Sequence, residues 1–115
     1  MSRLALMEQI ARDAGELLVG FFRQRNLSSW LKPDQSVVTQ ADLASDRLIS
    51  DALRREFPQS GILSEEIQPE LLSSAGESSD TWVIDPLDGT SNFSLGLPVW
   101  GVLITHLVQG WPVEM

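Results

Sequence analysis

The stretch TWVIDPLDGTSNF, residues 81–93, decides how this chain is read. Trp82, Val83 and Ile84 form a short run of strand-forming residues closed by Asp85, the signature of a buried strand reaching the edge of a core. PLDGTSNF, which follows, is expected to turn from that strand into a helix start or a tight loop. Asp88 stands only three positions after Asp85, so two carboxylates are crowded together at the strand end. A charge that closes a buried strand is costly unless it is ionically compensated. Gly89 then gives the backbone freedom to turn, and Thr90 and Ser91 follow where N–H groups begin to point outward. The plain alternative is a turn in which Asp85 and Asp88 bond local amides and Thr90 and Ser91 are ordinary turn hydroxyls.

Several known phosphate and metal motifs are excluded by spacing. A P-loop needs a lysine after its glycines, and none lies near. A calcium-binding EF-hand loop needs acids at alternate positions and a closing glutamate. The pattern Asp-x-x-Asp-Gly-Thr instead suits metal-dependent phosphoryl transfer. In that reading Asp85 bridges two cations about 3.5–4 Å apart and Asp88 holds one of them. The amides of Gly89 and Thr90 cradle the phosphate. Magnesium is the expected ion, because the ligands are hard oxygens with no competing His or Cys.

Outward from this stretch, the chain of 115 residues is the length of one modest domain. It carries 8 basic and 16 acidic residues, a net charge of −8 that disfavours nucleic acid and anionic membrane as partners. An acidic protein handles a phosphate ester only if divalent cations reverse the local field. There is no cysteine, which removes disulfides, thiolate zinc sites and a cysteine nucleophile. The opening residues break their apolar run with Glu8, Arg12, Asp13 and Glu16, unlike a signal or transit peptide, so a cytoplasmic location is expected.

Apolar residues at Leu4, Met7, Ile10, Ala14, Leu17, Leu18, Phe21 and Phe22 step by three and four, predicting an amphipathic helix that ends near Arg25. NLSSWLKPDQS reads as a loop, with a short hairpin ending in SVVT as an option. A second helix is expected from Thr39 or Gln40, carrying Leu43, Leu48, Ile49, Ala52, Leu53 and Phe57 until Pro58 stops it. GILSEE is a short buried strand and residues 67–81 an exposed loop. VWGVLITHLV reads as a central strand, Gln109-Gly110 as a hairpin turn and WPV as the start of a return strand. His106, the one histidine, is expected as a packed or edge-strand residue, and Trp30, Trp82, Trp100 and Trp111 as core or rim packing.

Residues 82–93 match throughout a pattern close to W-[IV]-[IV]-D-P-[IL]-D-G-T-x-N-F, and on these residues the chain resembles the inositol monophosphatase family of lithium-sensitive, magnesium-dependent phosphatases. SVVTQAD is similar to that family's V-T-x-x-D element, and GILSEE to its strand ending in G-E-E, with Ser64 in place of the glycine. The resemblance implies an α+β fold, layered α-β-α-β-α in the complete sugar-phosphatase architecture. Residues 1–115 would be the N-terminal portion of one such domain, supplying its first helices and part of its first sheet. A further metal-binding aspartate of the family belongs to its C-terminal half, outside these residues.

The resemblance also implies residue roles. Glu65, Asp85 and the carbonyl of Leu87 would hold a first metal, Asp85 and Asp88 a second, and Glu65 a third through water. Two or three magnesium ions, replaceable by manganese, would thus be bound. Asp88, Gly89, Thr90 and Ser91 would contact the phosphate, with Glu65 beside them, and Thr90 with Asp42 would orient and deprotonate the attacking water. The implied substrate is a small phosphate monoester, inositol monophosphate first, with fructose bisphosphate, histidinol phosphate and adenosine 3′,5′-bisphosphate as alternatives; a homodimer is left open. Local readings compete with some of these roles. Thr39-Gln-Ala-Asp42 also fits a helix-capping box, and Glu65 and Glu66 also fit a solvated pair at a strand end. A non-catalytic fragment or a metal-binding assembly module is the competing reading for the chain as a whole.

Overall fold

A computed structural model of the chain describes residues 2–24, 35–64 and 80–115. Helix α1 spans Arg3–Arg23 and opens on Ser2, whose hydroxyl accepts a hydrogen bond from the N–H of Ala5 at 3.1 Å. Its three-and-four spacing works as expected: Met7, Ile10, Ala14 and Leu18 are buried. Leu4 falls off the stripe and is exposed.

Helix α2 spans Gln35–Glu56, so it begins four or more residues before the expected start. SVVT, residues 36–39, is helical and not the tail of a hairpin. The paired valines suggested a strand, but the helix penalty of a β-branched residue is below about 1 kcal/mol and is overridden by tertiary packing. That packing is the buried stripe Ala41, Ser45, Ile49, Ala52 and Leu53. Leu43 lies outside it and is exposed. The helix ends two residues before Pro58, as expected.

Among the described residues four strands follow: β1 Gly61–Ser64, β2 Asp80–Asp88, β3 Gly101–Val108 and β4 Trp111–Glu114, with a short helix α3, Thr90–Leu95, between β2 and β3. The sheet order is β1-β2-β3-β4. Strand β1 runs parallel to β2, and the other two pairings are antiparallel. The strand expected to be central is an inner strand. The hairpin turn is where it was expected: Gln109 and Gly110 both have positive φ, 53° and 83°, the backbone that lets a two-residue turn follow strand twist. Two expectations change at β2. Asp80 and Thr81, expected in a loop, already pair with β3, and the strand does not stop at Asp85 but runs on to Asp88. The rest of the expected loop, residues 67–79, lies outside the described residues.

Both long helices cover one face of the sheet. Met7 and Ile10 of α1, Ile49 and Leu53 of α2, and Ile62, Trp82, Ile84 and Ile104 of the strands make one core cluster. Trp82 and His106 face each other across β2 and β3 with stacked rings, centroids 4.3 Å apart, and His106 also hydrogen-bonds Asp80 at 2.5 Å. The histidine is therefore packed, as read. Trp111 is not: it is 75% exposed. Trp30 lies outside the described residues. The chain is thus a helix layer on a mixed sheet, the α+β arrangement expected. Among the described residues no helix is long and apolar enough to cross a membrane.

Candidate functional site

Asp85 pairs with Leu103 and Asp88 with Gly101, so three steps along β2 answer two along β3. One extra residue is accommodated there, a β-bulge. Its consequence is geometric. In a regular strand, residues three apart point to opposite faces; here both aspartates oppose residues two apart on β3 and so share one face. Burial agrees: Ile84 and Leu87 are both buried in the cores while Asp85 is partly buried and Asp88 exposed. Pro86 sits in the bulge, where its missing N–H costs the ladder nothing.

The bulge is tied to the helix layer. Ser45 of α2, fully buried, donates its hydroxyl hydrogen to the carbonyl of Pro86 at 2.7 Å. One turn earlier, Ala41 packs in the second core cluster with Leu18, Leu87 and Phe93. Asp42 is the neighbour of Ala41, so it stands on the part of α2 that meets the Asp85–Thr90 segment. It lies about two turns into the helix, which overturns the capping-box reading, because a helix that starts at Gln35 has Thr39 and Asp42 in its interior. Asp42 and Asp85 both interact within the chain, and the Oδ1 atom of each is enclosed from solvent.

Gly89 follows at φ 87° and ψ 42°, in the left-handed region, and precedes α3. A Cβ there would lie 2.9 Å from the carbonyl oxygen of Val99 and 3.3 Å from Cα of Trp100, so both conformation and space require glycine. The same Val99 carbonyl accepts a hydrogen bond from Nδ2 of Asn92 at 2.9 Å. Phe93, buried on the inner side of α3, meets Phe22 and Trp100 with ring centroids 5.3 and 5.1 Å apart. The turn is therefore clamped between the end of α1 and the approach to β3, with Thr90 and Ser91 exposed on the first turn of α3. The expected turn into a helix is what forms.

Asp42, Asp85, Leu87, Asp88, Gly89, Thr90 and Ser91 thus fall on the bulged end of β2, the turn after it and the part of α2 that packs there. Glu65 and Glu66 lie outside the described residues. Among the described residues, no group of three or more His, Asp or Glu is close enough to hold a metal ion. The donors present are carboxylate, carbonyl and hydroxyl oxygens, the set that suits a hard dication. Sequence reasoning missed Ser45 and passed over Asn92 as part of a motif. The signal for Ser45 was there, a hydroxyl at helical spacing between the apolar Ala41 and Ile49.

A family model described as the inositol monophosphatase family matches residues 2–114. A histidinol-phosphatase from Chlorobaculum parvum is 37% identical over 107 residues, 93% of this chain and 40% of that protein. The Nus factor SuhB of Pasteurella multocida is 40% identical over 104 residues, 87% of this chain and 37% of that protein. Among solved structures, the extragenic suppressor protein suhB of Bartonella henselae superposes with a TM-score of 0.76 at 31% identity, covering 95% of this chain and 40% of that one. An inositol monophosphatase from Anabaena gives a TM-score of 0.69 at 32% identity, covering 95% and 34%. The chain therefore spans about two fifths of the length of the relatives it matches.

Proposed function

Because this chain belongs to the inositol monophosphatase family, we propose that it serves magnesium-dependent hydrolysis of a small phosphate monoester, with residues 1–115 as the N-terminal portion of one domain. The observation that carries the reading is the bulge at Pro86, which turns Asp85 and Asp88 to one face directly before the Gly89 turn. Glu65, Asp85, Asp88 and the Leu87 carbonyl hold the ions in this proposal. Bound magnesium, or manganese in its place, supplies positive charge against the phosphate and makes water a better nucleophile.

The chain's own groups do the rest. The N–H groups of Gly89 and Thr90, with the hydroxyl of Ser91, bind phosphate oxygens. Thr90 and Asp42 orient the attacking water, and Asp42 takes its proton. The rigid clamp around Gly89 keeps those donors in place without reorganisation. Inositol monophosphate is the first substrate proposed. The names of the relatives make histidinol phosphate the nearest competitor, ahead of fructose bisphosphate and adenosine 3′,5′-bisphosphate.

Phosphate release from these esters by the 115-residue chain, with and without magnesium, tests the reading. It predicts magnesium-dependent release that Asp85→Asn abolishes, fastest from inositol 1-phosphate. Equal release by the Asp85→Asn variant rules out the assigned site. Equal rates on every ester rule out the substrate alone. The second reading, an assembly module without turnover, has the exposed Leu103, Trp111 and Val113 of β3 and β4 in its favour. It predicts no phosphate release under any of these conditions.

A further inference from the structure

The bulge in β2 does not follow from β2 alone. Pro86, one of the two residues inside it, has no N–H to offer a neighbouring strand, and its carbonyl, facing the helix layer, would be left without a donor if nothing reached it. Ser45 reaches it. The hydroxyl is 0% exposed, the bond is 2.7 Å long, and the two residues are 41 positions apart in sequence. Without that bond the segment 85–88 has a simple alternative: Leu87 slips opposite Gly101, the extra residue is expelled, and Asp85 and Asp88 come to point to opposite faces. The apolar stripe of α2 around this position, Ala41, Ile49, Ala52 and Leu53, has no other need of a hydroxyl there.

We infer that Ser45 is a positioning residue: its bond to the Pro86 carbonyl sets the bulge that keeps Asp85 and Asp88 on one face, and so sets the affinity for a dication that the two share. The second half of this statement rests on the metal site proposed above; the first half does not. Ser45 is fully buried with its hydroxyl on the Pro86 carbonyl, so it acts through the backbone between the two aspartates.

Ser50 supplies the control. It is also a buried serine of α2, but its hydroxyl bonds Asp46 at 2.9 Å within the helix, away from the bulge. The experiment compares the 115-residue chain with its Ser45→Ala and Ser50→Ala variants. Nuclear magnetic resonance reads the cross-strand contact between Asp88 and Gly101 without metal, and line broadening by added Mn2+ reads binding. Ser45→Ala is expected to lose the Asp88–Gly101 contact and to bind Mn2+ at least about 10-fold more weakly. Ser50→Ala is expected to keep both. Retention of the contact in Ser45→Ala overturns the inference. So does loss of it to the same degree in Ser50→Ala, which marks a general loosening of α2. If the unaltered chain fails to bind Mn2+, the metal reading falls, and the metal-free contact still decides whether Ser45 sets the bulge.

Discussion

The two ends of β2 are held by different means. At its start, Trp82 and Ile84 sit in a broad apolar cluster with residues from both long helices and from β1 and β3. At its finish, the bulge and the turn depend on a few specific features: the Ser45–Pro86 bond, the left-handed Gly89 against Val99, and the Asn92–Val99 bond. Burial of apolar area is non-directional, so the first end specifies that the chain folds but leaves atoms some latitude. Hydrogen bonds and a positive φ are directional. The second end spends stability to fix where two carboxylates and two amides point.

Substitutions can break or sharpen this contrast. The largest effect belongs to the core end. Trp82→Ala should destabilise the chain by about 3–5 kcal/mol, read by urea unfolding, because the ring is fully buried between Phe57 and His106. A smaller loss than at the turn would contradict the assignment of the core. Gly89→Ala comes next. Left-handed strain contributes about 1–2 kcal/mol, and the 2.9 Å approach to the Val99 carbonyl adds to it. This variant should lose magnesium-induced thermal stabilisation out of proportion to its loss of stability, whereas a Trp82 variant mild enough to fold should keep it. The smallest effect lies far from both ends. Arg12→Ala removes the exposed Arg12–Glu8 pair on α1, and unfolding should shift by no more than about 0.5 kcal/mol.

The same contrast explains what could be read in advance. Helix α1, the Gln109-Gly110 hairpin and the turn at Gly89 each have a local cause: apolar spacing, a turn dipeptide, a glycine after two acids. Their positions came out as read. The start of α2 was misplaced because Val37-Val38 and Thr39-Gln-Ala-Asp42 mimic a strand and a cap, while the deciding force was packing of the stripe from Ala41 onward. The bulge was hidden for a different reason. Proline after Ile-Asp looks like a strand terminator, and only pairing with β3 reveals that the strand runs through it. The site residues could be named from the motif, but the means by which Asp85 and Asp88 reach one face could not.

The most direct measurement is a crystal structure of the chain grown with Mn2+ and examined for anomalous scattering. A manganese peak contacted by carboxylate oxygens of both Asp85 and Asp88, with Pro86 still in the bulge, is the predicted result. Side chains of Asp85 and Asp88 on opposite faces of β2, or an ion bound to neither, would contradict it.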